Sequence, residues 1–352
     1  MTTHRPAWSV LGLALMVALA ACTQGETVPE APAVLPTDDG GEPAAVPALA
    51  DGLAPLTGLA APDESSLTRA ALSAKIDNHP GARPQVGLES ADIVFEELVE
   101  GGLTRYVAVW HSTVPNEVGP VRSVRPMDPD IVSPFGGILA YSGGQQRFVE
   151  AMMDTPVENA IHGQPDMEDF FYRSSDKVAP HNVIVKAPEL IAFFGDLGAP
   201  PPQFGYAPTL AESSAVRSGE PVASFVTRFS SFSSPGWTYD EALSRYLRSQ
   251  TNGAADVALS GDQLSATNVV TLFVGIEVIQ DIPTTFLVGS GDGYVASGGS
   301  LLPIRWSKDQ PEAPIVLTDG SGQRVLLAPG PTWIELLPAE GSGVPAGELL
   351  TR

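Results

Sequence analysis

The sequence GILAYSGG at residues 137–144 leads directly into QQRFVEAMM at residues 145–153. The short apolar run at 137–141 is typical of a buried strand, and residues 145–153 have the apolar spacing of a helix. Further strands are predicted at 71–76 and 182–185, and Pro188 marks the first turn of a helix that reaches Leu197. Strands that alternate with helices predict an α/β or α+β domain over residues 55–205.

Two β-rich runs, at residues 92–99 and 103–110, lie on either side of Glu100-Gly101-Gly102. Paired glycines between such runs predict a β-hairpin. The alternative is a helix over residues 90–99 that begins at Ser90 as its N-cap.

Residues 206–221 are predicted to be a linker, after which the pattern changes to short β-rich runs with frequent turn residues. Such runs occupy residues 222–229, 268–279 and 333–337, and GSGDG at 289–293 is interpreted as a turn. This spacing predicts a mainly antiparallel, β-rich domain over residues 222–342. The expected fold class is therefore α+β, with an N-terminal mixed α/β domain and a β-rich C-terminal domain.

Cys22 is the only cysteine in the chain, and it follows Leu19-Ala20-Ala21 at the end of an uncharged apolar run. This run is too short for a comfortable transmembrane helix, and with Arg5 before it the segment has the anatomy of a signal peptide. Leu-Ala-Ala-Cys resembles the lipobox of bacterial lipoproteins, in which the cysteine receives a diacylglyceryl group. We predict a signal peptide at residues 1–21 and a lipid-anchored protein on the extracytoplasmic face of the cell membrane; an ordinary secretory signal is the alternative.

Residues 22–54 are rich in acids and prolines and contain no basic residue, which predicts a disordered acidic tether. The whole chain has a formal net charge of −22, which argues against nucleic-acid binding and against attachment to anionic lipid through basic residues. Membrane contact is therefore expected through the lipid on Cys22 alone.

Several motifs stand in a characteristic order. They are IDNHP at 76–80, ARPQ at 82–85, EGGLTR at 100–105, GPVRSVRP at 119–126, PHNVIV at 180–185, WTYD at 237–240 and GPTW at 330–333. In this order they resemble the YerB-like lipoprotein family, a family of unknown function with distinct N- and C-terminal parts. The resemblance spans roughly residues 55–340 and implies a surface lipoprotein with two α+β domains and no established activity.

Arg122 and Arg125 lie in a segment bounded by Pro120 and Pro126, and proline biases the residue before it towards an extended conformation. Two guanidinium groups on a stiff segment suit bidentate binding of phosphate, sulfate or carboxylate. The alternative is that both arginines form ion pairs with nearby acids, among them Glu117, Asp128 and Asp130.

Ser142, Gly143 and Gly144 lie between the predicted strand and the predicted helix, where free N–H groups and the helix dipole favour an anion. We expect these residues to share a ligand with the two arginines. Residues 140–144 also nearly match the nucleophile elbow Gly-x-Ser-x-Gly, except that Ala140 replaces the first glycine.

Asp77, His79, Arg105 and His181 are second candidates for ligand binding. His79 and His181 are both at apparent strand ends, where α/β sheets place their sites. The spacing of the histidines fits no metal-ligand signature, so neither a metal nor another cofactor is predicted.

The leading hypothesis is that a cleft in the N-terminal domain binds an anionic small molecule of the cell envelope or an envelope protein. The first alternative is a hydrolase that acts on envelope glycan, ester or phosphoester, with an acid, a histidine or Ser142 carrying the chemistry. The second is a structural scaffold for another envelope protein, which predicts a large exposed apolar patch.

Overall fold

The structure, a computed structural model, describes residues 49–352. Most of its regular elements are strands. In chain order they are β1 (Leu72–Asp77), β2 (Ile93–Leu98), β3 (Thr104–Trp110), β4 (Glu117–Val118), β5 (Ile138–Tyr141), β6 (Glu158–Ile161), β7 (Phe171–Arg173), β8 (Val183–Lys186), β9 (Gly205–Tyr206), β10 (Glu220–Pro221), β11 (Ser224–Arg228), β12 (Gly236–Asp240), β13 (Arg245–Ser249), β14 (Ser265–Ala266), β15 (Asn268–Ile279), β16 (Ile282–Phe286), β17 (Gly289–Ser297), β18 (Ser300–Lys308), β19 (Val316–Thr318), β20 (Leu326–Leu327), β21 (Thr332–Pro338) and β22 (Glu348–Thr351).

The α-helices in this part of the chain are short. They are α1 (Asp128–Val132), α2 (Gln146–Met153), α3 (Ala187–Phe193) and α4 (Ser214–Ser218). The helix expected after residue 144 is confirmed as α2, which buries Phe148 and Met152 one turn apart on one face. Within residues 49–352 we find no helix with the length and apolar character needed to cross a bilayer.

One sheet includes strands from both predicted domains. Its order is β10-β18-β17-β15-β21-β2-β3-β1-β5-β6, and β16 and β19 pair with β15 and β18. The two halves of the sequence meet where β2 runs parallel to β21, with Ile93 opposite Thr332. Strands β1, β5 and β6 are mutually parallel, whereas β1, β3 and β2 alternate in direction. The described chain is therefore predominantly β, built around a mixed sheet.

The predicted hairpin around Gly101 and Gly102 is confirmed. Strands β2 and β3 pair antiparallel, with Leu98 opposite Thr104. The helical alternative is wrong, because only Leu88–Ser90 forms a single turn of 3₁₀-helix before the strand begins. Every residue of β2 and β3 is buried, because both faces of the sheet are covered by other parts of the chain.

The interpretation of residues 289–293 as a turn is wrong, since these residues begin β17. Their glycines allow a close approach to β15. A Cβ atom on Gly293 would lie 2.3 Å from the carbonyl oxygen of Thr271, and one on Gly291 would lie 2.7 Å from that of Phe273. Glycine is therefore needed here for its small size.

The smaller sheet, β14-β13-β12-β11-β22, is antiparallel throughout. It packs on the large sheet through aromatic rings, with Trp237 of β12 and Trp333 of β21 edge to face at a centroid distance of 5.3 Å. Between the sheets Arg248 is buried, where it donates to Glu96 Oε2 at 2.7 Å and forms an ion pair with Asp256. A buried charge network thus accompanies apolar packing at this junction.

Cys22, the signal peptide and most of the acidic tether lie outside the described residues. The end of the predicted tether is described, and its last residues join the folded chain. Leu53 pairs with Ala60 in a β-bridge, and Ala54 is fully buried.

Candidate functional site

A cavity of about 250 Å³ opens at the end of β1, beside the start of β3. Six of the predicted site residues line it: Asp77, His79, Arg105, Arg122, Arg125 and His181. The sequence separates these residues widely, but the fold brings all of them to one place.

The strand pairing explains how these residues meet. Asp77, the last residue of β1, lies directly opposite Arg105 of β3. The segment that carries Arg122 runs along β1, because the Arg122 backbone N–H donates to the Lys75 carbonyl at 2.7 Å. The preceding residue, Val121, donates to the carbonyl of Val183 at 2.8 Å, which places the start of β8 and the loop before it beside the same segment.

Two of the three arginines are held by carboxylates. Arg125 forms a fork with Glu100, with Nε at 2.9 Å from Oε2 and Nη2 at 2.8 Å from Oε1. Nε of Arg122 lies 3.1 Å from Oδ2 of Asp77. The acids proposed from the sequence as partners of these side chains do not pair with them. Asp128 instead accepts the Arg125 backbone N–H at 2.7 Å.

Arg105 has a different environment. Its Nη1 donates to the Ser123 carbonyl at 2.8 Å, and among residues 49–352 it forms no ion pair. Burial, together with the nearby charges of Arg125 and Arg122, lowers the pKa of Arg105 to about 10. Burial and the two neighbouring arginines thus outweigh the attraction of Asp77 and Glu100 at this side chain.

The cavity lining carries an excess of positive charge. Its three guanidinium groups face two carboxylates, Asp77 and Glu100, which leaves one positive charge when the histidines are neutral. Burial alone would raise the pKa of Glu100. Hydrogen bonds from Arg125 and the backbone, with the charges of Arg125 and Arg105, lower that pKa below its ordinary value. Glu100 is therefore ionised at neutral pH.

His79 and His181 stack in parallel, with ring centroids 4.2 Å apart and 8° between the planes. Nδ1 of His181 lies 2.6 Å from Oδ2 of Asp77, and Nδ1 of His79 accepts the Gly81 backbone N–H at 3.0 Å. Each ring is thus fixed by a contact at Nδ1. Among residues 49–352 no hydrogen bond is found at their other ring nitrogens, so these can contact a ligand.

Asp77 connects the histidine pair to the arginines. Its side chain is 4% exposed, and its Oδ2 contacts both His181 and Arg122. Its Oδ1 accepts the backbone N–H of His79 at 3.1 Å. One buried carboxylate therefore orients groups from three separate segments of the chain.

A second, fully buried charge cluster lies next to the segment that carries Arg125. Nζ of Lys75 donates to Asp128 Oδ1 at 2.7 Å and also contacts Glu97. Burial and the charge of Asp128 raise the pKa of Glu97 to about 7, although Lys75 opposes this effect. Because Asp128 also binds the backbone of Arg125, the cluster fixes the start of α1 and the end of the arginine segment.

Ser142, Gly143 and Gly144 do not line the cavity in the described structure. The helix begins at Gln146, one residue beyond the expected start. The Ser142 N–H donates to the Arg122 carbonyl at 3.0 Å, and Gly143 accepts the Val124 N–H at 3.0 Å. These residues support the backbone of the arginine segment.

Ser142 does have a histidine neighbour, although it is not His181. Its Oγ lies 3.3 Å from Nδ1 of His162. Burial, with the charge of Arg173, lowers the pKa of His162. His181 pairs with Asp77 instead, so the predicted serine and His181 belong to different clusters.

Glu100 is the charged cavity residue that the sequence did not place with Arg122 and Arg125. It lies in the hairpin turn, beside Gly101 and close to Arg105 along the chain. Glu100 and Arg105 occur together in EGGLTR, but the pairing of Glu100 with Arg125 depends on long-range packing and cannot be predicted from this motif. Among residues 49–352, no group of three or more histidine, cysteine, aspartate or glutamate side chains is arranged to hold a metal ion.

The chain matches known proteins over most of its length. Residues 56–199 match the family model described as the N-terminal domain of "Protein of unknown function (DUF3048)", and residues 225–334 match the model of its C-terminal domain. The chain is 26% identical over 326 residues to the Bacillus subtilis (strain 168) protein named "Putative lipoprotein YerB", which covers 86% of this chain and 92% of that protein. The crystal structure of the YerB protein from Bacillus subtilis has the same fold, with a TM-score of 0.71 at 23% identity over 84% of this chain and 99% of that one.

Proposed function

We propose a function for this chain, which belongs to the DUF3048 family, from the contents of its cavity. The protein is a membrane-anchored extracytoplasmic lipoprotein that binds an anionic component of the cell envelope. Arg105, Arg122 and Arg125 bind the anionic group, and His79 and His181 contact it from the side. The anchor is the lipid on Cys22, for which the signal-peptide anatomy and the name of the Bacillus relative are the support.

The observation that carries this proposal is the uncompensated charge of Arg105. A buried guanidinium without a carboxylate partner is costly, and a bound anion would supply that partner. The lining as a whole also carries one excess positive charge, which attracts an anion to the cavity. Because the whole chain has a net charge of −22, a positively charged cavity is not what its composition alone would give.

The geometry also suits an oxyanion. Guanidinium groups present planar forks of N–H donors that match the oxygen spacing of phosphate and carboxylate. Arg122 and Arg125 are held in place by Asp77 and Glu100 before any ligand binds, so little side-chain entropy is lost on binding. A volume of about 250 Å³ admits a headgroup-sized ligand and excludes a folded partner.

Calorimetry on the full chain, purified in detergent, tests this proposal with inorganic phosphate and dimethyl phosphate as probes. We expect binding by the unmodified protein and at least a tenfold loss of affinity in Arg105→Met and Arg122→Met. Arg305→Met is the matched control, since Arg305 is 61% exposed and lies outside the cavity. Circular dichroism checks that each variant is folded.

The proposal is contradicted if the unmodified protein binds neither probe. It is also contradicted if the two cavity variants bind as tightly as Arg305→Met does. If the difference in affinity between the cavity variants and Arg305→Met disappears at high salt, the attraction is long-range and the specific site is contradicted.

A further inference from the structure

We infer that this cavity is also a hydrolytic site, which cleaves an anionic phosphodiester with His181 as the general base. The inference rests on the proposed anion binding and adds to it a substrate class and a reaction. It is carried by the geometry of two stacked histidines beside the arginine cluster.

The charge of the lining selects a monoanion. A phosphodiester carries one negative charge at neutral pH, which equals the excess of the three arginines over Asp77 and Glu100. Its two non-bridging oxygens can accept hydrogen bonds from more than one guanidinium group, although Arg125 already directs its Nε and Nη2 to Glu100. Charge that develops on these oxygens during attack is stabilised by Arg105, the arginine without a carboxylate partner.

The contacts of the two rings fix complementary roles. Because Asp77 is an acceptor, Nδ1 of His181 carries the hydrogen, and Nε2 of the neutral ring is left with a lone pair. Because Nδ1 of His79 accepts the Gly81 N–H, the hydrogen of that ring is on Nε2. Thus two rings 4.2 Å apart offer one base and one hydrogen-bond donor.

An imidazole oriented by a carboxylate, as His181 is by Asp77, has the arrangement of a general base. The His181 side chain is 19% exposed and lines the cavity, so the ring can be reached by water and ligand. Asp77, at 4% exposure, is shielded and acts as a positioning residue. The hydroxyl in the cavity lining, that of Thr104, donates to Glu96 Oε1 and accepts from Asn78, so we assign water as the attacking group.

The reaction balances without a further reactant. A water oxygen forms a bond to phosphorus while Nε2 of His181 takes one of its protons. The phosphorus–oxygen bond to one ester group breaks, and the departing alkoxide takes a proton from solvent. His181 then returns its proton to solvent, which leaves a phosphomonoester and an alcohol. His79 donates a hydrogen bond to a non-bridging oxygen and transfers no proton.

Two diesters and one monoester test the activity of the full chain. We expect release of 4-nitrophenolate from bis(4-nitrophenyl) phosphate and of glycerol from glycerophosphocholine, and little turnover of 4-nitrophenyl phosphate. His181→Asn and Asp77→Asn should lower kcat by about 10²- to 10⁴-fold. Asp176→Asn makes the same chemical change as Asp77→Asn at an exposed position and should leave kcat unchanged.

Kinetic constants and a binding measurement separate catalysis from structure. His181→Asn should lower kcat and kcat/KM to the same extent, because the base acts only in the chemical step. Calorimetry with dimethyl phosphate should show a loss of affinity in His181→Asn of at most about tenfold, well below its loss of kcat, since the arginines remain.

The possible failures are distinct. If the unmodified protein binds dimethyl phosphate but hydrolyses neither diester, the hydrolytic inference is wrong and the proposed binding function stands. If it binds no phosphate probe, the binding function fails and the inference fails with it. Turnover that survives in both His181→Asn and Asp77→Asn would also overturn the inference.

Discussion

The Nδ1 atom of His181 lies 2.6 Å from Oδ2 of Asp77, although 104 residues separate the two in the chain. The same oxygen lies 3.1 Å from Nε of Arg122. A single buried carboxylate therefore orients an imidazole and a guanidinium on one wall of the cavity. This relationship links the candidate binding groups to the candidate base, so changes around Asp77 act on both.

Removing the negative charge of Glu100 should strengthen anion binding. Glu100 pairs with Arg125, and the change Glu100→Gln raises the excess positive charge of the lining by one. We expect the affinity for inorganic phosphate, measured by calorimetry, to rise about three- to tenfold at low salt.

Glu168→Gln is the control for this experiment, because it makes the same charge change at an exposed position outside the cavity. It should change the affinity little. Weaker phosphate binding by Glu100→Gln than by Glu168→Gln would mean that Glu100 serves mainly to position Arg125.

Loss of Arg248 should destabilise the junction between the two sheets. Its guanidinium is 1% exposed, pairs with Glu96 and Asp256, and lies 5.1 Å from the ring centre of Trp333. Because Arg248→Met leaves buried carboxylates without a cation, we expect the free energy of unfolding to fall by about 3–5 kcal/mol in urea denaturation.

Arg305→Met is the matched control for Arg248→Met. The Arg305 pair with Asp292 is exposed on both sides and should contribute less than about 1 kcal/mol. Equal effects of the two substitutions would show that the buried network adds nothing to the junction.

His111 should make stability depend on pH. Its ring is buried, and that burial lowers its pKa to about 4 from an ordinary value of 6.5. Below pH 6.5 His111 is therefore protonated in the unfolded chain but stays neutral in the folded chain. Stability is lost as the pH falls from 6.5 towards 4. Urea denaturation at pH 7.5, 5.5 and 4.5 measures this loss.

His111→Gln should remove that part of the pH dependence. The difference in unfolding free energy between the variant and the unmodified protein should favour the variant increasingly as the pH falls. The exposed change Glu220→Gln is the control and should not follow this trend. A constant difference between pH 7.5 and 4.5 would rule out His111 as the titrating group.

The close approach of β17 to β15 should make Gly293 intolerant of a side chain. A Cβ there would lie 2.3 Å from the Thr271 carbonyl oxygen, so we expect Gly293→Ala to cost about 1–3 kcal/mol of stability in urea denaturation. Gly320→Ala is the control, because a Cβ at Gly320 meets no atom within 4 Å. Similar stability of the two variants would contradict the close approach.

Local pattern predicted several elements of the fold. The long run at residues 268–279 is β15 with the same bounds, and the strands around Gly101 and Gly102 form the expected hairpin. Residues 289–293 were misinterpreted because their glycines fit a turn as well as a tightly packed strand. Local sequence cannot distinguish these cases, since the reason lies in the neighbouring strand.

Long-range pairing could not be predicted in the same way. The parallel contact between β2 and β21 joins residues such as Ile93 and Thr332, and periodicity carries no information about which strands become neighbours. In the candidate site, some of the predicted residues lie together and one group lies elsewhere. The sequence identified Arg122, Arg125 and His181 by residue type, but it grouped Ser142 with them because a glycine-rich helix start is a frequent anion site.

The most direct test of the central claim is the location of a heavy oxyanion in crystals of the protein. Crystals soaked in sodium selenate should show a selenium anomalous peak between the guanidinium groups of Arg105, Arg122 and Arg125, and the peak should be absent in Arg105→Met crystals. The claim is contradicted if the cavity is open to solvent in the crystal and selenate occupies other positions only, or if the peak persists unchanged in Arg105→Met.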